Sequence, residues 1–332
     1  MFKPLTFLLF TLTLLPQVAL ARDVALTWQP GDKGQTKTQA WTRDDGDWRL
    51  ASTLNSPHFV ADGTVWQLSS DSVNIPYTNC SCVVAAYAAH GGMPDWDSPV
   101  PKNCRHIAKI NIPVAQQLGG KRRIRLTAPP QDVTGEDGES DPNYQVLGVV
   151  GSQVVVATHA YQMTCGAAHG GLASTIAVTD LHTGKPAQPW TAAEAGQASA
   201  AGRSAAIANL IKAQKLKNAK ELSELKGAKF RLSALRIAWR GGHLTPSWLL
   251  TTEACYACSD GIWGSYSWST WVNVLVPTPK NFSLFDVLPA PLSRLSSRVP
   301  DAMAIGLVPA EQAASVLQPV GRTQQNDRAR GK

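Results

Sequence analysis

No G-x-S-x-G elbow, H-E-x-x-H helix, P-loop or G-x-G-x-x-G turn occurs in this sequence. These patterns mark serine hydrolases, zinc peptidases, phosphate binders and dinucleotide enzymes. Their absence weakens an enzymatic reading without excluding a triad or carboxylate pair assembled in space, which leaves no fixed spacing. The paired C-x-x-C ligands of a structural zinc site are missing too. No apolar run reaches the about 20 residues that a bilayer-crossing helix needs. Acidic residues are the scarcer charge, 24 against 31 basic, so the chain carries a net +7. A basic exported chain suits an anionic surface, such as a cell-wall polymer, lipopolysaccharide or an acidic protein. The cations are nevertheless spread: Lys212, Lys215, Lys217 and Lys220, then Lys121 to Arg125, then Arg322, Arg328, Arg330 and Lys332. Solvated faces and a frayed tail account for them equally.

What is present begins with export. Lys3 precedes an apolar run from Leu5 to Leu15, then Pro16 and the small-x-small site Ala19-Leu20-Ala21. This reads as a signal peptide over residues 1–21, cleaved before Arg22, and places the mature protein in the periplasm or outside the cell. Residue 22 is not cysteine, which argues against a lipid anchor. Six cysteines in an oxidising compartment predict disulfides. Cys80 and Cys82 sit too close to bridge each other easily, so each reaches elsewhere, with Cys104 a partner for one of them. Cys165 is assigned to a further bridge, and Cys255 and Cys258 can close on each other.

Strand-like alternation dominates. Tyr266, Trp268, Thr270, Val272, Val274 and Val276 point one way, with serines, Trp271 and Asn273 between them. Similar alternation covers 154–158, 176–180 and Ala108, Ile110 and Ile112. The exception is 200–225, where Ile207, Leu210, Ile211, Leu222 and Leu225 fall near helical spacing in an Ala, Lys and Glu background; one long helix ending near Gly227 is expected. A shorter one is expected from Pro309 to Leu317. Residues 129–143, "PPQDVTGEDGESDPN", read as a linker or long hairpin loop. It divides a β-rich N-terminal segment, 22–130, from an α+β domain, 144–290, with a Pro/Ser-rich, basic and partly disordered tail over 291–332. The fold class is therefore β-rich α+β, antiparallel sheets with one long crossing helix. Three loosely similar segments starting at 63, 151 and 241 keep an all-β, propeller-like arrangement as the alternative, although their spacing is roughly twice that of a propeller blade.

Candidate sites each have a plain structural reading. "TCGAAHG" brings Cys165 near His169, with His159 and His182 available, but without a zinc-like spacing; a structural turn is expected. "CYAC" has the spacing of thiol-disulfide oxidoreductases, whose chemistry requires a helix to follow; strand and turn patterns flank it instead. "DDGD" and "GEDGESD" lack the ligand pattern of an EF-hand and read as solvated turns. Eleven tryptophans are many for this length. Trp239, Trp248, Trp263 and Trp271 cluster near the C-terminal strands: they either fill the core or, if exposed together, stack sugars or anchor a protein. No cofactor and no metal are expected.

The succession "YQMTCGAAHGG", "STIAVTDLHTGKP", a helix and "SWLLTTEACYACSDG" leading to "FSLFDVLP" resembles the extracellular domain of RsiV, the lysozyme-sensing anti-sigma factor, and related exported proteins. The resemblance covers roughly residues 145–290. It rests on Tyr161, the turn with Gly166, Ala168 and His169, and the hairpin end Asp180 to Lys185. It implies an α+β sheet with a crossing helix and an architectural role for the His169 turn. Cys165, the alanine added before His169 and the CYAC element depart from the pattern, and without a membrane helix sigma-factor signalling is not implied. The expectation is an exported binding protein of the cell envelope. Its ligand is a glycan or a protein such as a lysozyme-like hydrolase, and nucleic acid is not a partner. An envelope-directed hydrolase and a structural envelope protein are the rival classes.

Overall fold

The computed structural model describes residues 23–30, 36–94, 98–128, 138–166, 171–188, 190–253, 267–273 and 288–317. Strands and helices are numbered in chain order. A first sheet joins β1 (Val24–Pro30), β2 (Thr36–Asp44), β3 (Asp47–Leu54) and, from the far end of the chain, β15 (Ala304–Val308), in the order β15-β1-β2-β3. A second contains β4 (His58–Ala61), β5 (Thr64–Thr78), β6 (Arg105–Gln117) and β7 (Arg123–Arg125) in sequence order. A third runs β11 (Lys185–Pro186), β10 (Gly171–Asp180), β9 (Gln153–Thr164), β8 (Gly138–Val150). The fourth comprises β12 (Phe230–Arg240), β13 (His243–Glu253) and β14 (Ser267–Val272). Every pairing is antiparallel. With five helices α1 (Cys80–Ala88), α2 (Ala192–Gln214), α3 (Ala219–Gly227), α4 (Ala290–Arg298) and α5 (Ala310–Leu317) described, the fold is α+β and not the all-β alternative.

The expected helix over 200–225 is two. Thr191 caps α2 in a reciprocal box with Glu194, nine residues before Ala200. Lys215 then closes it in the left-handed conformation, and Asn218 starts α3 by accepting from the Lys220 amide at 2.8 Å. The buried stripe of α2 is Ala198, Gly202, Ala206 and Leu210; three small residues let the helix approach the fourth sheet closely. A Cβ built on Gly202 would lie 2.7 Å from Leu250 Cδ1.

Alternation fails where both faces are covered. In β9, Val154 and Val156 face a core shared with Phe59, Trp66, Ala115 and Trp28. Val155 and Ala157 face another, shared with Leu235, Trp248, Leu250 and α2. An apolar run without alternation is what such a doubly covered strand requires. The first of these cores mixes residues from both sides of 131–143, so the sequence division at that segment does not coincide with a break in the interior.

Two sequence assignments are corrected. Residues 138–143 are not linker: they pair with β9, Asn143 opposite His159 and Pro142 opposite Ala160. Their polar composition reflects an edge strand, on which Asp141 and Asn143 are exposed. The supposed tail from 291 contains α4, β15 and α5. Leu292, Leu295 and Val299 pack with Trp48 and Trp239, while Val308 and Val316 join Val24 and Leu26. Just ahead of β15, the Trp239 amide donates to the Ala302 carbonyl at 2.8 Å. The Val149 amide donates to the Met303 carbonyl at 2.8 Å, and the Met303 amide to the Trp28 carbonyl at 2.7 Å. Two residues thus join three sheets.

Cys80 bridges Cys165 and Cys82 bridges Cys104. Asn79 caps α1 by accepting from the Cys82 amide at 2.9 Å. Both bridges sit in one small cluster with Val83 and Val100, fastening α1 to the end of β9. Cys255, Cys258 and the expected signal peptide, residues 1–21, lie outside the described residues.

Candidate functional site

β5 and β6 form a ladder from Trp66↔Gln117 to Thr78↔Arg105, outrunning β4 and β7. Directly paired residues share a face. Leu68 with Ala115, Ser70 with Pro113, Ser72 with Asn111 and Asn74 with Lys109 therefore line one side of the ribbon. The apolar end of that row enters the core beside Trp28 and Val146. The polar end stays open. On the opposite face Asp71 takes Arg123 and Arg125. The Arg123 hydrogen bond, with lesser help from Arg125, holds its carboxyl below the ordinary carboxylate range against mild desolvation.

Between the open end and β8 lies a cavity of about 820 Å³ to which all four sheets contribute. Trp28, Pro30 and Thr36 come from the first sheet. Ser69, Ser70, Lys109 and Asn111 come from the second, the run Asp141 to Leu147 from β8, and Arg236 from β12; Met303 closes the wall. Arg236 is held with its guanidinium carbon 4.4 Å from the Trp271 ring centroid, a cation–π contact. Two lining residues carry a polar atom that has no hydrogen-bond partner among the described residues and is covered by protein on all sides: the Nε1–H of Trp28, a residue only 1% exposed, and the Tyr144 hydroxyl. Burial pushes the Tyr144 phenol up, so it stays a donor at neutral pH. Burial likewise pushes His159, opposite Asn143, below its ordinary value and keeps it neutral. Among the described residues the wall supplies hydroxyls, amides, two cations and one carboxylate, Asp141. Such a surface can hold a polar chain by hydrogen bonds.

The sequence candidates fall elsewhere. Trp239 and Trp248 are buried, 3% and 0% exposed, and cannot stack a ligand. Trp239 packs against α4, and Trp248 lies on the inner face of β13 with Leu250 and Val272. Their apolar area is worth more inside than on the surface. Trp271 is half-buried on the outer face and acts through Arg236. Trp263 and His169 lie outside the described residues. Cys165 is oxidised, and no group of three metal-ligating side chains gathers among the described residues. His182 makes an exposed 2.9 Å contact with Asp62. The Arg122 guanidinium donates to the carbonyls of Leu181 and His182, so the "DLHTGK" turn is docked structurally. The β8 wall escaped the sequence reading, yet its signal was present: Pro142 followed by alternating Tyr144 and Val146 is the mark of an edge strand.

No known family model matches the chain, and no curated protein matches it. Among solved structures, it is similar to the crystal structure of a member of the DUF3298 family (BF2082) from Bacteroides fragilis NCTC 9343. That likeness covers 70% of this chain and 98% of that one, at 10% identity and a TM-score of 0.30. No helix among the described residues is long and apolar enough to cross a membrane.

Proposed function

We propose that this is an exported, disulfide-bonded binding protein of the cell envelope, periplasmic or secreted, whose ligand occupies the four-sheet cavity. One observation carries the reading. A cavity of about 820 Å³, to which all four sheets contribute, is walled by serine, threonine and amide side chains together with Lys109, Arg236 and Asp141, and such a concave site with convergent polar groups is where a ligand binds. The signal-like segment and the two disulfides support export. The ligand is a polar envelope polymer, protein or glycan. The resemblance of residues 145–290 to the RsiV extracellular domain makes a lysozyme-like hydrolase the protein to try first.

Asn111 is exposed on the cavity rim, so Asn111→Trp fills the entrance without disturbing the core. Purified lysozyme and purified peptidoglycan are each titrated against the unaltered protein and this variant. Binding that the variant loses, at an unchanged thermal midpoint, supports the cavity as the ligand site; binding equal in both removes it from that role.

A further inference from the structure

We propose that the cavity receives an extended polypeptide segment of a partner protein, which adds as a new strand to the free edge of β8. This rests on the binding function above and narrows its ligand to protein. Successive side chains of a strand point to opposite faces, so a cavity pressed against one face is lined by every second residue. Here seven consecutive residues, Asp141 to Leu147, line it. The cavity therefore runs along the strand's edge, for about 20 Å at the usual rise per residue.

Among the described residues that edge is open: β8 is the terminal strand of its sheet and forms a ladder only with β9. Pro142 has no N–H to give the ladder, which places its nitrogen on the outer side. Tyr144 and Val146 follow on that side at two-residue spacing. The irregularity between Val146 and Gly148 shifts the phase, so the next outward amide is that of Val149, which donates to the Met303 carbonyl at 2.8 Å. Met303 thus already pairs with this edge at one end of the cavity. Beyond it, that register turns the N–H and C=O of Tyr144 and Val146 and the carbonyl of Pro142 away from β9. Val146 is only 8% exposed, where unpaired main-chain groups are rare.

Main-chain groups repeating every two residues, about 7 Å, match another strand and not a sugar repeat. Strand addition of this kind draws affinity from the backbone and specificity from alternate side chains. Lys109 and Arg236, against the single Asp141, select an acidic residue. Pro142, a common guard of edge strands, confines the pairing to the stretch beside Met303.

The test uses the full mature chain and a phage library of random heptapeptides. Winners should carry Asp or Glu, and Asn111→Trp should abolish their binding. In the unaltered protein the bound peptide should slow exchange of the Tyr144 and Val146 amide hydrogens at least tenfold. Methylating alternate peptide nitrogens should weaken binding at least tenfold, and Arg236→Gln should remove the acidic preference. If peptides bind in the cavity without protecting those two amides, or tolerate N-methylation, strand addition is wrong while the cavity remains a ligand site. Peptidoglycan binding that Asn111→Trp blocks, with no peptide selected, overturns the polypeptide assignment alone. Failure of every probe removes both readings.

Discussion

Gly148 owes its identity to crowding. A methyl group there would lie 2.7 Å from Ile237 Cβ and 3.2 Å from the Met303 carbonyl oxygen. Gly148→Ala should therefore lower stability by about 1–3 kcal/mol, the usual cost of overpacking, measured by urea unfolding. His58 gives a pH dependence. Its Nδ1–H donates to the Ser56 carbonyl at 2.9 Å, and burial draws its pKa below 6.5, outweighing that bond. The unfolded chain then binds a proton more readily, so stability increases with pH. His58's share is complete above the unfolded value of 6.5 and is lost as pH falls through the folded one. The thermal midpoint should drop between neutral pH and about pH 5, and drop less in His58→Gln; equal drops would exonerate this histidine. Single residues were unevenly legible in the sequence. Ring size showed that Cys80 and Cys82 do not bridge each other but not which of them takes Cys104, and the burial of Trp239 and Trp248 was not legible either, because a tryptophan's spacing on a strand does not say whether a helix covers it.

Among the elements, the disulfide-bearing α1 invites a comparison of two double variants. The Cys80–Cys165 bridge has a sequence separation of 85 and the Cys82–Cys104 bridge one of 22. In the chain-entropy account they contribute about 4.5 and about 3.4 kcal/mol. Replacing the first pair with alanine should lower the urea midpoint more than replacing the second, and the reverse order would mean that native packing dominates. Lys215 ends α2 at φ 54°, a conformation costing a non-glycine residue about 1 kcal/mol, so Lys215→Gly should stabilise by roughly that amount. The split between α2 and α3 was not legible because Leu222 and Leu225 keep helical phase with Ile211. The start of α2 was placed nine residues too late, at Ala200, although Thr191 and Glu194 spell a capping box. β8 was hidden by its own edge position: exposed strands carry loop-like residues.

For the molecule as a whole, the α+β class could be read from alternation plus one helical stretch. The cavity could not, because it arises where four sheets meet and its residues lie in sequence from Trp28 to Met303. The residues after 298 should behave as structure and not as appendage. A chain ending at Arg298 lacks β15 and the bonds from Trp239, Val149 and Trp28. Circular dichroism of this truncation should show a broad, non-cooperative melt; an unchanged sharp transition would contradict the role assigned to Ala302 and Met303.

β1 is sealed on one side by β2, its near neighbour, and on the other by β15, with Val24 opposite Val308. A chain emerging from a ribosome delivers β1 long before its second partner. Until then the strand presents a sticky flank to every other nascent copy. Haste in folding is thus no advantage to this protein, because β1 cannot be sealed before β15 (Ala304–Val308) has appeared.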